Sequence, residues 1–393
     1  MKHVESEGSV LCSVRCGSGC IQLLNPLLTT IQAARVMVLI DEMVYATPFG
    51  ERAVAAAGSG RHISVDQHSS NEPTVRDVQH LAVQIAAERP DAVVAVGGGS
   101  TIDAVKAALA QHMAQRDITF LWGSPNLEPR TIAFVAVPTT CGTGSELTPF
   151  AVIHSEHECR KRSLRHSSLI PDAAILDPDS LETLPSNVVA LTGIDAFCHA
   201  LESFVSVDAT SISQTMCLGP LVAAARVLRA AVHDRDQAAL ATLQAAAGGA
   251  RMCFPLVGLT VAHSMSHPLG IAYGLPHGEA VARCTPPVIR YNGLTAPSGY
   301  GSVARYLGIC AEGASDRKCA EALADWTARW FADLAAFRQR PSLSQRLPME
   351  AMVRHTLESG NIRTNPRLIQ EGELGDLFEA IVRSLGTGVT TAG

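Results

Sequence analysis

A chain of 393 residues, 47% hydrophobic and 17% charged, has length for two domains and apolar side chains for a large core, which excludes disorder. Its formal charge of −6, without a basic stripe interleaved with aromatics, excludes a nucleic-acid-binding surface. No apolar run of the roughly 18 residues needed to cross a bilayer stands out, so no membrane partner is expected.

The first residues, Met1-Lys2-His3-Val4-Glu5-Ser6-Glu7, lack the apolar centre of a secretory signal. The 11 cysteines include no Cys-x-x-Cys pair, and Cys12, Cys16 and Cys20 alternate with strand- and turn-forming residues. Buried, reduced thiols in a cytoplasmic protein are the expectation.

Arg35 to Ile40 is a β-branched, apolar run that reads as a buried parallel strand ending at Asp41. An acid at such a strand end accepts hydrogen bonds from the ribose of a dinucleotide and repels a 2′-phosphate; it also serves as a plain turn residue. Helical spacing over Val75 to Arg89 stops at Pro90. Ala92 to Val96 is a second buried strand, running into Gly97-Gly98-Gly99-Ser100-Thr101-Ile102-Asp103-Ala104-Val105-Lys106. Three glycines let backbone approach a phosphate, and a helix opening at Ser100 or Thr101 presents free N–H groups to an anion. The segment is neither a Walker loop nor G-x-G-x-x-G, and a glycine turn alone is weak.

Ile132 to Val137 is a third strand, followed by Pro138-Thr139-Thr140-Cys141-Gly142-Thr143-Gly144-Ser145-Glu146, a hydroxyl-rich loop apt for phosphate and ribose oxygens or for a turn with a cap at Ser145. Strands of this kind, each followed by a helix or loop, argue a parallel α/β sheet with its ligand at the strands' carboxyl ends. Arg160 to Arg165 is a basic run, read as a solvated loop or as a hint of an anionic aldehyde. Past Leu184-Pro185-Ser186 the chain turns alanine- and leucine-rich with helical spacing, as in Gly219 to Val232 and Gln237 to Met252.

Leu191 to Gly278 carries the metal-binding chemistry. Asp195 and His199 are four apart, as are His263 and His267, and such pairs share a helix face about 6 Å apart along the axis. With His277 from the loop beyond, one carboxylate and several imidazoles suit a divalent transition metal. The bland alternatives are a chance His-x-x-x-His in a chain with 14 histidines and a capping box at Thr192-x-x-Asp195. Pro268 should kink or end the second helix after His267.

Taken together, these stretches resemble the iron-containing (group III) alcohol dehydrogenase family. The resemblance runs through Gly97-Gly98-Gly99-Ser100-x-x-Asp103-x-x-Lys106, the Pro138 to Glu146 loop and Leu176-Asp177-Pro178. It continues with Thr192-Gly193-x-Asp195-Ala196-x-x-His199-Ala200-x-Glu202, His263-x-Met265-x-His267-x-Leu269-Gly270, Pro276-His277-Gly278 and Asn365-Pro366-Arg367. Cys141 and the Glu279-Ala280-Val281-Ala282 segment depart from the family pattern.

The resemblance implies a Rossmann-like, dinucleotide-binding α/β domain over residues 1–185 and an all-helical, metal-binding domain over 186–393, in a dehydroquinate synthase-like architecture with the active site in a cleft between them. It implies metal ligation by Asp195, His199, His263 and His277, with Fe(II) favoured and Zn(II) possible, and a proton relay, or merely a structural role, for His267. It implies NAD(H) contacts at Gly97, Gly98, Gly99, Ser100 and Asp103, at Thr139, Thr140 and Thr143, and at Asp41, Lys161 and Leu181. The expected reaction is hydride transfer between NAD(H) and an alcohol/aldehyde pair in a cytoplasmic homo-oligomer, expected as a dimer. The alternatives are a dehydroquinate-synthase-like lyase and a catalytically inactive nucleotide-binding protein.

Overall fold

A computed structural model describes residues 12–69, 72–335, 337 and 347–387. The segment Met1 to Glu7 discussed above lies outside them. The fold divides between Pro185 and Ser186 into two compact units.

Among its described residues the first unit contains eight strands: β1 Ser13–Cys16, β2 Arg35–Asp41, β3 His62–His68, β4 Ala92–Gly97, β5 Ala133–Pro138, β6 Phe150–Ser155, β7 Arg160–Arg165 and β8 Ala173–Leu176. Six form one sheet in the order β1-β8-β5-β4-β2-β3, and all its pairings are parallel. Its helices are α1 Leu24–Thr30, α2 Glu42–Tyr45, α3 Pro48–Gly58, α4 Val75–Glu88 and α5 Gly99–Ala114. Every residue of β4 is buried, which accounts for its unbroken apolar run. α4 starts at a capping box, Thr74 with Asp77, and buries Val78, Leu81, Ala82 and Ile85. Strand order reverses between β2 and β4, and register sets Ile40 opposite Val96 and Gly97 opposite Pro138. Asp41, the glycine turn and Thr139 therefore share the carboxyl edge at a topological switch point, where open α/β sheets bind ligands.

The basic run is not a loop: Arg160–Arg165 is β7, antiparallel to β6. Lys161 pairs with Glu72 and Arg162 with Glu158, so carboxylates from the same unit already neutralise both cations.

The second unit is helical throughout its described residues: α6 Ser186–Val205, α7 Ser211–Arg229, α8 Gln237–Val257, α9 Val261–Tyr273, α10 His277–Gly293, α11 Pro297–Tyr306, α12 Asp316–Leu334, α13 Met349–Leu357 and α14 Glu371–Thr387. α6 is buried on nearly every side from Val189 onward, as its all-round apolarity requires.

Several expectations need correction. Among the described residues, α6 and the helical stretch Ser211–Asp234 are long and apolar enough to cross a membrane, and α8 with α9 would make a third if taken as one bent span. In α6 that apolarity serves the interior of the unit. Thr192 lies inside α6 and donates to the Val188 carbonyl, so it caps nothing. α9 continues through Pro268 to Tyr273, because an interior proline removes only one donor from a ladder that neighbouring turns keep. His277 opens α10 rather than sitting in a loop. The thiols are not uniformly buried and reduced: Cys310 and Cys319 form a disulfide, and Cys16 and Cys159 are exposed.

Candidate functional site

At the carboxyl edge of the sheet, α5 begins one or two residues earlier than the expected opening at Ser100 or Thr101, with Gly98 as N-cap and Gly99 as its first residue. A Cβ on Gly99 would stand 2.7 Å from the Thr143 side chain, and one on Gly98 3.0 Å from Thr140 Cγ2. Glycine is needed here because the threonine loop packs directly on the turn. Thr139 N–H donates to the Gly97 carbonyl at 3.0 Å, closing the same contact. The first N–H groups of a 16-residue helix are thus directed at a hydroxyl-rich edge, a natural anion site.

Two residues behind this edge hold its shape. Lys106 is fully buried, and its ammonium donates to the carbonyls of Ser145 (2.5 Å), Thr148 (2.8 Å) and Phe150 (2.8 Å). Asp103 accepts from the Ser145 hydroxyl and, at 2.9 Å, from Val152 N–H. Both carboxylate oxygens thereby brace the loop that follows β5. The short 3-10 turn there starts at Ser145 with Gly144, in left-handed conformation, as N-cap. Asp41 is buried and accepts from Met43 N–H at 2.9 Å, capping α2. Ser100 is half-buried, Leu181 is fully buried, and Lys161 is held by Glu72.

In the helical unit, α6 presents Asp195, His199 and Glu202 from an otherwise apolar interior, each 2% exposed or less. Asp195 Oδ1 lies 3.2 Å from His263 Nε2 and 3.6 Å from His277 Nε2, while Oδ2 lies 3.6 Å from His199 Nδ1. Two ligand atoms bound about 2.1 Å from one tetrahedral ion stand about 3.4 Å apart, so these spacings fit a shared cation. Ligand atoms of Asp195, His263 and His277 all fall within 4.8 Å of one another. His199 is outside that mutual set but beside the other Asp195 oxygen, its buried Nδ1 without a hydrogen-bond partner among the described residues. A buried carboxylate ringed by three imidazoles is the donor set of a divalent transition metal.

Burial drives the His199 pKa well below the ordinary imidazole value, with the nearby Arg251 cation acting in the same direction, which suits a neutral ligand. Burial also opposes charge on His263, but the Glu202 and Asp195 carboxylates outweigh it and lift that pKa to about 9. His267 is half-buried on α9, its ring centroid 5.4 Å from that of His277. The start of α10 is pressed against α6: a Cβ on Gly278 would meet the Leu191 carbonyl oxygen at 2.3 Å.

Glu202, quoted above only as part of a motif, proves central to this geometry. Its Oε1 lies 2.5 Å from His263 Nδ1. Its Oε2 accepts from Thr260 N–H (2.9 Å), the Thr260 hydroxyl (2.6 Å) and His263 N–H (3.4 Å). The visible signal was an acid seven residues after Asp195, on the same face of an apolar helix. Asn365 also contributes, its Oδ1 accepting from Val261 N–H at 3.1 Å at the start of α9.

The family model described as iron-containing alcohol dehydrogenase matches residues 13–178, and that of the Fe-containing alcohol dehydrogenase family, C-terminal, matches residues 189–382. The chain is 32% identical over 373 residues to a probable alcohol dehydrogenase EutG of Salmonella typhimurium, covering 93% of this chain and 92% of that one. It is 31% identical over 360 residues to the 1-propanol dehydrogenase PduQ of Citrobacter freundii, covering 88% and 93%. A solved alcohol dehydrogenase from Oenococcus oeni superposes with a TM-score of 0.87 at 27% identity, covering 94% and 98%. These relatives carry the dehydrogenase reading and lend nothing to the lyase alternative.

Proposed function

This chain belongs to the iron-containing alcohol dehydrogenase family, and we propose which of its residues carry out that chemistry. The activity is hydride transfer between NAD(H) and an alcohol/aldehyde pair, with iron as the metal. When bound, the divalent metal supplies Lewis acidity at the substrate oxygen and the nicotinamide supplies the hydride carrier.

Asp195, His199, His263 and His277 hold the metal. The observation that supports this is the convergence of Asp195, His263 and His277 ligand atoms within 4.8 Å, with His199 against the second Asp195 oxygen. His267, beside His277, passes the alcohol proton toward solvent. The unit ending at Pro185 binds the dinucleotide. Its phosphates lie on Gly97, Gly98, Gly99 and Ser100 with Thr139, Thr140 and Thr143, and its ribose meets Asp41. Leu181 offers an apolar contact to the cofactor, while Asp103 and Lys161 act through Ser145 and Glu72. The unit from Ser186 is the metal-binding, catalytic one.

The substrate is a short aliphatic alcohol or aldehyde, a reading supported by the 1-propanol dehydrogenase among the relatives. The chain works as a homodimer in the cytoplasm. β1, exposed along its length at the sheet edge, gives a second copy a strand to pair with. Nine free cysteines against one disulfide among the described residues favour a reducing compartment.

The test is NADH oxidation with propanal and other small aldehydes, in Fe(II) and in Zn(II). Metal-dependent loss of NADH with at least one short aldehyde is the expected result. Bound metal without turnover on any of them would count against the assignment.

A further inference from the structure

The carboxylate of Glu202 divides its two oxygens between two tasks. Oε2 gathers three donors from the opening turn of α9, while among the described residues Oε1 faces only the Nδ1 of His263. A carboxylate accepts and cannot donate, so Nδ1 must carry the hydrogen. An imidazole that binds a metal is neutral and has one N–H; with that hydrogen on Nδ1 its lone pair is left on Nε2, the atom 3.2 Å from Asp195 in the metal-free chain. We infer that Glu202 is a positioning residue that selects the metal-binding tautomer of His263. The inference rests on the ligand set proposed above.

The same geometry makes an isosteric change decisive. A glutamine has one oxygen and one NH2. Three donors from Thr260 and His263 hold the oxygen on their side. The NH2 then faces His263 Nδ1, which must accept. The single ring hydrogen moves to Nε2, where it occupies the position a metal needs. Every hydrogen bond is still made, so Glu202→Gln should fold normally and lose its metal.

The experiment uses the full chain, stripped of metal and titrated with Fe(II) or Co(II) against a competing chelator. Wild type, Glu202→Gln, Glu202→Asp and His263→Ala are compared, and the thermal midpoint of each metal-free protein is recorded. Glu202→Gln should bind at least about 10- to 100-fold more weakly than wild type, the usual cost of losing a ligand's outer partner. Affinity is read on protein whose metal-free midpoint shows it folded, since removing the Glu202 charge beside His263 also lowers stability. Glu202→Asp should recover part of the affinity despite its shorter reach. Wild-type affinity in Glu202→Gln overturns the inference, as does an affinity loss that merely tracks a fall in the metal-free midpoint across both Glu202 variants. Wild-type affinity in His263→Ala would instead show that the ligand set is wrong. Should Glu202→Gln fail to fold, nitrogen-15 NMR of the zinc-loaded wild type decides: hydrogen on His263 Nδ1 supports the inference, and hydrogen on Nε2 refutes it.

Discussion

The Cβ that Gly278 lacks would stand 2.3 Å from the carbonyl oxygen of Leu191, a backbone atom that cannot swing aside. Gly278 follows His277, and Leu191 precedes Asp195 by one helical turn. This contact sets how closely the start of α10 approaches α6, and so how far the His277 ring stands from the carboxylate. Gly278→Ala should push the two apart, costing about 1–3 kcal/mol of stability and at least about tenfold in metal affinity. Metal titration with a parallel denaturant curve checks both; unchanged affinity would show that His277 is placed by other contacts.

Gly375 is the opposite case. It lies inside α14, and an added Cβ would meet nothing within 4 Å. Gly375→Ala should stabilise the protein by about 0.5–1 kcal/mol through helix propensity alone, and raise the thermal midpoint by about 1–4 °C without altering turnover. A lower midpoint would mean that the glycine serves a contact outside the described residues.

Lys106 is fully buried and its ammonium satisfies three carbonyls of the segment after the threonine loop. Lys106→Met keeps the stem and removes every donor. Stranded carbonyls should cost about 3–5 kcal/mol in sum, read from urea unfolding. The KM for NAD should rise with it, because the same residues brace the proposed phosphate edge. A loss below about 1 kcal/mol would mean that water replaces the ammonium.

Asp41 caps α2, and asparagine caps helices equally well, so Asp41→Asn removes the charge and keeps the fold. If the carboxylate reads the ribose, kcat/KM for NADP relative to NAD should rise about tenfold, on the order of 1.4 kcal/mol. Steady-state kinetics with both cofactors measure the ratio. An unchanged ratio would confine Asp41 to capping.

Three of the central strands, β2, β4 and β5, were legible because a strand covered on both faces must be apolar throughout, as Ala92 to Val96 is; the four-residue β8 was too short to stand out. The edge strands were not. β3 spells His-Ile-Ser-Val-Asp-Gln-His, and four of the six residues of β7 are charged, because strands with an open face or edge carry no such run. The proposed metal ligands were legible in pairs, since Asp195 and His199 share one helix face. How the pairs meet was not, because it depends on contacts between distant helices. Glu202 reaches a histidine 61 residues away, and no local pattern records that bond. His277 was misplaced in a loop although Pro276 before it and Glu279 in its first turn mark a helix start.

Locating the metal tests the account most directly. In crystals of the iron-loaded protein, anomalous scattering at the iron edge should give one strong peak per chain. It should lie about 2.0–2.2 Å from an Asp195 oxygen and from one ring nitrogen each of His199, His263 and His277. A peak bound elsewhere, or no peak in a protein that still turns over, would contradict it.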